Sequence, residues 1–208
     1  MPIELEQKYV VVSERPWTVQ AELLALLRRA GYAVTLQGEG RQRDTYYDTP
    51  EDRLLLGGGS LRLREKGRDY LLSVKSLIRA GEGTFARQEE ELKLGREAEP
   101  MPFLRRLLPG VDLDALAVTA VVSNRRRTYL AAGPAGGRFE LAFDDVIYRS
   151  PRGDREVRER QVEMERLTGS QAELERLVRA SAARLPALRP AAESKYQRAR
   201  RLTGTAAR

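Results

Sequence analysis

Charged and apolar residues alternate in segment after segment of this chain. The first such segment, IELEQK, spaces Glu4, Glu6 and Lys8 two residues apart, with mostly apolar residues between them. Residues two apart share one face of a β-strand, so the segment predicts a strand with a charged face and an apolar face. One strand of this kind is ordinary, because many antiparallel sheets have one solvated side. The repetition of the pattern constrains the fold.

Six later segments repeat the alternation, and two predicted helices have apolar stripes. The residues that share the more polar strand face are Arg62 and Arg64; Ser73 and Lys75; Arg87, Glu89, Glu91 and Lys93; Arg125, Arg127 and Tyr129; Glu140 and Asp144; and Glu163 and Glu165. The helical stripes run from Val19 to Leu27 and from Leu174 to Val178. If the apolar strand faces met inside a barrel, these helices would have no apolar surface on which to pack. An inverted barrel, with the charges inside, accounts for both patterns.

The predicted fold is therefore α+β and mainly antiparallel. It is an eight-stranded closed antiparallel β-barrel tunnel with a charged interior and helices packed on the outside. Taking an ion out of water is costly, so the interior charges must be hydrated or paired with metal ions and anions. A barrel of eight strands is just wide enough to hold one small ligand. A two-layer sandwich with a solvated polar face is the alternative fold.

Composition narrows the possible chemistry. The chain has 208 residues with no Cys and no His, which excludes thiol nucleophiles, catalytic histidine and the common zinc sites. A bound metal would need oxygen ligands, as Mg²⁺, Mn²⁺ and Ca²⁺ do. The net charge of +7 fits either a polyanionic partner or an arginine-rich surface. No apolar run is long enough to span a membrane, so we expect a cytoplasmic protein without a membrane partner.

The length suits a single domain. We assign residues 1–202 to this domain and residues 203–208 to a loose C-terminal tail. Gly31 is predicted to end the first helix, and Ser170-Gln-Ala-Glu173 is a capping box that starts a later one. Trp17 is the lone Trp and lies at the first helix, where we expect it to pack in the core.

Several of these segments together resemble the CYTH family, the triphosphate tunnel metalloenzymes. In chain order they are Glu4-x-Glu6-x-Lys8, YYDTPEDRLLLGGGSLRLRE (Tyr46–Glu65), Lys75, Arg87–Glu91, Arg125–Arg127, Asp144-Asp145, Glu163-x-Glu165 and Ser194-Lys195-Tyr196. The first pattern alone is common, whereas the ordered series over nearly the whole chain is specific. The resemblance implies an eight-stranded tunnel that binds a triphosphate and one or two divalent cations.

The resemblance also implies roles for individual residues. The carboxylates that would hold Mg²⁺ or Mn²⁺ are Glu4, Glu6, Asp144, Glu163 and Glu165. The bases that would bind phosphate oxygens are Lys8, Arg62, Arg64, Lys75, Arg87, Arg125, Arg127 and Lys195. The catalytic set would be Glu4, Glu6, Lys8, Arg64 and Lys75. Carboxylate oxygens suit Mg²⁺, and Arg and Lys neutralise the charge on phosphoryl oxygens.

Three features allow two interpretations. Arg126 alternates with Arg125 and Arg127, so only one face of the trio points inward, and we favour the odd-numbered pair. Lys195 is either a phosphate ligand or part of a basic surface tail. Leu56–Ser60 is rich in Gly but lacks the Gly-Lys-Ser/Thr ending of a phosphate-binding loop, and we predict a turn there.

These observations favour a divalent-metal-dependent triphosphatase, with inorganic tripolyphosphate as the leading substrate. The alternatives are a nucleoside or thiamine triphosphatase, then an adenylyl cyclase, or a non-catalytic binder of polyphosphate or nucleotides. The cyclase branch of the family carries a His-Phe pair before its Glu-x-Glu-x-Lys, and this chain has no His. The expected partner is a small-molecule triphosphate, inorganic or a nucleotide. We expect no nucleic-acid partner, and the resemblance suggests a homodimer.

Overall fold

A computed structural model of the chain describes residues 3–81, 84–96, 98–191 and 193–204. For residues 3, 4, 16, 77–81 and 84–87 it describes the backbone alone. The strands of the described residues are β1 (Ile3–Val11), β2 (Ala33–Asp48), β3 (Ser60–Lys66), β4 (Asp69–Gly81), β5 (Thr84–Leu94), β6 (Ala117–Ala132), β7 (Arg138–Arg149), β8 (Glu156–Thr168) and β9 (Leu188–Pro190). The helices are α1 (Pro16–Arg29), α2 (Arg53–Leu56), α3 (Pro100–Leu107), α4 (Gln171–Arg184) and α5 (Lys195–Thr203).

The nine strands formed by the described residues belong to one antiparallel sheet, in the order β5-β4-β3-β2-β6-β7-β8-β1-β9. β1 also pairs with β5: residues 3–7 of β1 are neighbours of residues 84–88, while residues 6–10 pair with β8 on the other side. The predicted α+β class with mainly antiparallel strands is confirmed. The predicted number of eight strands is wrong, because Leu188–Pro190 adds a short ninth strand to β1.

β2 is one continuous strand of 16 residues. It pairs with β6 along its whole length, and an irregularity between Leu36 and Gly38 absorbs a shift in the register. β3 pairs with β2 only from Arg43 to Tyr47. Within the described part of the chain, the first half of β2 therefore has β6 as its only strand neighbour.

Helices cover the apolar face of the sheet. Leu23 and Leu27 of α1 are fully buried together with Phe139 and Leu141 of β7, and α4 joins the same cluster. Full burial of one such side chain contributes about 1.5–3 kcal/mol to folding. α3 packs on β4 and β5, and its Leu104 belongs to an apolar cluster with Leu61, Leu72 and Val74. The prediction that helices cover an apolar strand face is confirmed for these helices.

α5 lies on the other face of the sheet, the charged one. Tyr196 and Ala199 are buried against Val122 and Tyr148, and the Tyr196 ring stacks on Tyr46 with the ring centroids 4.9 Å apart. The prediction that the helices pack on the outside is wrong for α5. The charged face becomes apolar where β6 and β7 pass this helix, so α5 can bury its own apolar residues there.

Two local predictions concern α1. Gly31 has a φ of +86°, a left-handed conformation that glycine adopts without strain, and it ends the helix as predicted. Trp17 is 67% exposed, so its predicted core position is wrong. It precedes the buried stripe that begins at Val19, and the sheet does not cover it.

The structure describes the first two residues of the predicted C-terminal tail, Thr203 and Gly204. Thr203, which the sequence analysis places in the tail, is the last residue of α5 and is buried. Residues 205–208 lie outside the described residues, and the division into residues 1–202 and 203–208 stays a prediction. None of the helices in the described ranges combines the length and the apolar character needed to cross a membrane.

Candidate active site

A cavity of about 1050 Å³ lies on the charged face of the sheet. Strands β1 to β8 and α5 contribute nine basic and seven acidic side chains to its lining. The predicted site residues among them are Glu6, Lys8, Arg62, Arg64, Lys75, Glu163, Glu165 and Lys195. The fold therefore brings together charged residues from almost the whole length of the chain.

Glu163 is the centre of one charge cluster in this cavity. Its Oε1 accepts a hydrogen bond from Lys195 and lies 3.1 Å from the Lys8 Nζ, while its Oε2 accepts from Arg126. Burial alone would raise the pKa of Glu163. The positive charges of Lys195, Lys8 and Arg126 outweigh that effect and hold its pKa well below the usual value. Glu163 is therefore ionised and neutralises several cations at once.

Asp144 shares two of these cations. It accepts hydrogen bonds of 2.8 and 2.7 Å from Arg126 and one of 2.8 Å from the Lys195 Nζ. Burial disfavours its charged form, but Lys195 and Arg126 lower the pKa of Asp144 below its usual value. Lys8 in turn lies 3.2 Å from Glu6. The cluster therefore contains three cations and three carboxylates in a network of buried ion pairs. The oxygens of an anionic ligand could take the place of the carboxylate oxygens in this network.

Asp44 of β2 is the centre of a second cluster. Arg64 donates two hydrogen bonds to its carboxylate, of 2.7 and 2.8 Å, and the Arg62 Nη1 lies 3.7 Å from it. Burial would raise the pKa of Asp44, but Arg62 and Arg64 together lower it. A bidentate pair of this kind holds the guanidinium plane in one orientation. Asp44 thus positions an arginine that the sequence analysis assigns to phosphate binding.

Glu89 of β5 holds two more of the predicted phosphate ligands. The Arg62 Nη2 donates to Glu89 over 3.1 Å, and the Lys75 Nζ lies 2.8 Å from the other carboxylate oxygen. The Arg62 Nε also donates to Ser73 over 3.0 Å. Burial opposes ionisation of Glu89, but Lys75 and Arg62 lower its pKa. The basic groups of this half of the cavity are therefore fixed by carboxylates.

The prediction that the side chains of Arg125 and Arg127 point into the cavity is wrong. Both side chains bind Glu39, and neither belongs to the described residues that line the cavity. Arg126 lines it instead. The reason is the register of the β6–β7 hairpin, in which Arg126 stands directly opposite Asp144. Directly opposed residues share a face of the sheet, so the inward Asp144 selects the even-numbered arginine.

The sequence contains a signal that could have identified Arg126. Counting back from the hairpin turn, where Ala132 pairs with Arg138, places Arg126 opposite Asp144. Asp44, which was likewise not predicted, has a weaker signal. It precedes Tyr46 by two residues and so lies on the same strand face, but its pairing with β3 is visible only in the fold.

α5 positions Lys195. Ser194 caps this helix: its Oγ accepts from the Gln197 backbone N–H over 3.1 Å, and the Gln197 side chain accepts from the Ser194 N–H over 2.9 Å. The Tyr196 hydroxyl donates to Asp48 over 2.9 Å. Lys195 is only 7% exposed, so its alternative interpretation as part of a surface tail is wrong. It reaches the cavity from the first turn of the helix.

Two predicted site residues, Glu4 and Arg87, have side chains outside the described residues. Their backbones are partners in the pairing of β1 with β5. Their roles in metal and phosphate binding stay predictions from the sequence.

The cavity offers oxygen ligands of the type that Mg²⁺ and Mn²⁺ prefer. Glu6 and Glu165 stand opposite each other on β1 and β8, Glu140 stands opposite Glu165 on β7, and all three line the cavity. Burial raises the pKa of Glu140, and a nearby cation would reverse that shift. Among the described residues no three carboxylates already stand close enough to hold an ion. The donor type fits a divalent cation.

The fold is shared with several solved structures. HpAC1 from Hippeastrum, described as an adenylyl cyclase with a dominant triphosphatase activity, is similar with a TM-score of 0.68 and 16% identity over 96% of both chains. A protein from Bacillus halodurans described as an adenylate cyclase has a TM-score of 0.61 and 20% identity over 95% of this chain and 98% of its own. The PH1012 protein from Pyrococcus horikoshii has a TM-score of 0.53 and 18% identity over 90% of this chain and 95% of its own. No curated protein matches this sequence significantly.

The sequence also matches a family profile. The profile of the CYTH domain covers residues 3–199. This range includes the nine described strands and all the residues predicted for the site. The chain therefore belongs to the CYTH family.

Proposed function

We propose that the protein is a divalent-metal-dependent triphosphatase that hydrolyses inorganic tripolyphosphate. The observation that carries this proposal is the set of cations that converge on one cavity, which are Lys8, Arg62, Arg64, Lys75, Arg126 and Lys195. Membership of the CYTH family and the triphosphatase activity of HpAC1 support the same reaction. In this proposal β1 to β8 enclose the cavity as a tunnel, with the pairing of β1 and β5 completing the wall.

The ion pairs of the cavity suggest how a triphosphate binds. Its phosphate oxygens would replace carboxylate oxygens at Lys8, Arg126 and Lys195, which now bind Glu163 and Asp144. Arg–phosphate contacts are strong, charge-assisted hydrogen bonds, so the exchange keeps each buried cation paired. Because Glu163 would lose its basic partners, it would become available to a cation that enters with the substrate.

The residues that would hold Mg²⁺ or Mn²⁺ are Glu6, Glu163 and Glu165, with Glu4 and Asp144 as further predicted ligands. When bound, the ion would supply Lewis acidity and neutralise charge on the phosphoryl oxygens. The protein contributes the orientation of these carboxylates from β1 and β8, whose register places Glu6 opposite Glu165.

In the proposed reaction a water oxygen bonds to the terminal phosphorus while the bond from that phosphorus to the bridging oxygen breaks. The products are orthophosphate and pyrophosphate, and the proton of the water passes to a glutamate of the cavity. Arg62, Arg64 and Lys75 keep the phosphate chain in line with the attacking water. Their fixed guanidinium and ammonium groups stabilise the charge that spreads over the phosphoryl oxygens.

A nucleoside triphosphatase is the second candidate, because of the size of the cavity. Its volume of about 1050 Å³ is at the upper end for small-molecule sites, which typically measure about 300–1,000 Å³. The cavity therefore has room for a nucleoside beside the triphosphate.

The decisive experiment compares substrates on the purified protein. Phosphate release would be measured from tripolyphosphate, ATP and thiamine triphosphate, each with Mg²⁺, with Mn²⁺ and with EDTA. We expect the highest kcat/KM for tripolyphosphate and no release in EDTA. A higher value for ATP would favour the second candidate. Salt-sensitive binding without any turnover would favour a non-catalytic binder. A homodimer and a cytoplasmic location stay predictions from the sequence.

A further inference from the structure

The outer face of the sheet carries a second basic surface, which adjoins the cavity at the edge of β2. It is a depression of about 1020 Å³ across β2, β6, β7 and β8. We call it the arginine groove, after its basic residues Arg41, Arg43, Arg125, Arg158 and Arg160.

Strand register orders the arginine groove into two rows. The first row consists of Arg41, Arg125, Asp145 and Arg160. The second consists of Arg43, Ser123, Ile147 and Arg158. Neighbouring strands lie about 4.7–4.9 Å apart, so each row extends over about 14 Å. The groove thus presents guanidinium groups along a line rather than around a point, which fits an extended anion.

Positive charge exceeds negative charge in the arginine groove. The carboxylates in its lining are Glu65, Asp145 and Glu159, and the last of these is bound to Arg198. Two carboxylates outside the lining also pair with its arginines: Glu39 with Arg125 and Glu156 with Arg158. The pair between Arg43 and Glu65 is 3.9 Å long. Four of the five arginines have side chains that are more than half exposed. Exposed ion pairs are weak, so a polyanion could readily replace these carboxylates.

The arginine groove meets the cavity at the edge of β2. Arg41 and Gln42 belong to the linings of both. β3 pairs with β2 only from Arg43 onward, so within the described ranges no β3 residue pairs with this edge. A linear anion could therefore run from the groove into the cavity without crossing a paired strand.

We propose that the arginine groove binds the distal part of a long inorganic polyphosphate chain whose end occupies the cavity. Hydrolysis of the chain end that lies in the cavity rests on the proposed triphosphatase function. Polyphosphate fits because it carries charge at every unit and needs no other contact. Single-stranded RNA gains much of its affinity from bases stacked on aromatic rings, and the described lining of the groove contains no aromatic side chain.

The test measures binding of a fluorescently labelled long-chain polyphosphate by anisotropy, in EDTA and with saturating tripolyphosphate to fill the cavity. The groove variant is Arg125→Gln/Arg158→Gln. Its matched control is Arg28→Gln/Arg179→Gln, which removes the same charge from exposed positions on α1 and α4. Because lost phosphate contacts lower affinity steeply, we expect about tenfold weaker binding by the groove variant and a change within about twofold for the control.

Several results would overturn the proposal. Equal weakening by both variants would show an effect of net charge alone. Unchanged binding by the groove variant, or complete displacement of the long chain by tripolyphosphate, would place the chain elsewhere. The same anisotropy assay is run with a labelled single-stranded RNA, and a groove variant that loses RNA binding but keeps polyphosphate binding would identify RNA as the partner. Binding is measured without turnover, so a lack of triphosphatase activity and a failure of the groove proposal are distinguishable.

Discussion

Arg126 of β6 and Asp144 of β7 stand directly opposite each other and are joined by two hydrogen bonds of 2.8 and 2.7 Å. The pair fixes the guanidinium group of Arg126 at the wall of the cavity, beside Glu163. The next residue, Arg127, points away from the cavity and binds Glu39. Two adjacent arginines of one strand therefore have different expected roles, and each serves as the control for the other.

Substitution of Arg126 should impair turnover, whereas substitution of Arg127 should not. Loss of one preorganised donor to a transition-state oxygen typically lowers kcat about 10²–10³-fold. We therefore expect Arg126→Gln to lower kcat/KM for tripolyphosphate about 100-fold and Arg127→Gln to change it less than about twofold. Steady-state phosphate release on both variants checks this. Equal losses would mean that Arg126 acts only through the general charge of β6.

Asp44 should stabilise the fold at neutral pH. Its pKa is lower in the folded protein than in the unfolded chain, where the pKa of Asp is about 3.9. The stabilisation is therefore present above that value and is lost as the pH falls through the lower folded pKa. Asp44→Asn would leave Arg62 and Arg64 without their shared carboxylate, and we expect it to lower the free energy of unfolding at pH 7 by about 3–5 kcal/mol.

Urea unfolding of wild type and Asp44→Asn at pH 7 and pH 3 measures this effect. The difference between the two proteins should shrink at the lower pH, because Asp44 then takes up a proton in the unfolded chain, which lowers the stability of the wild type. Glu65→Gln is the control, since its pair with Arg43 is partly exposed and 3.9 Å long. We expect it to cost less than about 1 kcal/mol. If the free energies of unfolding of wild type and Asp44→Asn differ equally at both pH values, ionised Asp44 does not stabilise the fold as inferred.

Removal of divalent cations should abolish turnover. EDTA is expected to stop phosphate release, and Mg²⁺ or Mn²⁺ to restore it. Glu165→Gln keeps the size of the side chain but removes its charge. We therefore expect it to raise the metal concentration needed for half-maximal activity. Loss of a group that supports a metal site often weakens metal binding about 10–100-fold, and we expect a rise of that size. Glu156→Gln, an exposed change on the same strand, is the control. Full activity in EDTA would exclude the metal-dependent reaction.

The caps of α4 and α5 should differ in their effect on the substrate. Ser170 caps α4 on the apolar side of the sheet, and Ser194 caps α5 directly before Lys195. Loss of either cap by substitution with Ala should lower stability by about 1 kcal/mol. Only Ser194→Ala should also raise KM for tripolyphosphate, because it loosens the turn that carries Lys195. Thermal unfolding and steady-state kinetics on both variants separate the two effects.

The alternation of charged and apolar residues was sufficient to predict the mainly antiparallel α+β class and a charged strand face that lines a cavity. A strand's side chains alternate with a period of two whatever its neighbours are, so Glu6 and Lys8 had to share a face. The helical period of 3.6 residues predicted the apolar stripes of α1 and α4 in the same way. The order of the motifs along the chain, read as a resemblance, added Lys195 to the site.

The tertiary structure alone decided which residues meet. The choice of Arg126 over its neighbours depends on the register of β6 against β7, and a slip of one residue would turn every side chain of the strand to the other face. The role of Asp44 depends on β3, and the position of α5 depends on the apolar surface around Val122. Local sequence determines the pattern of each element, whereas hydrogen bonding and packing between distant segments determine which faces come together.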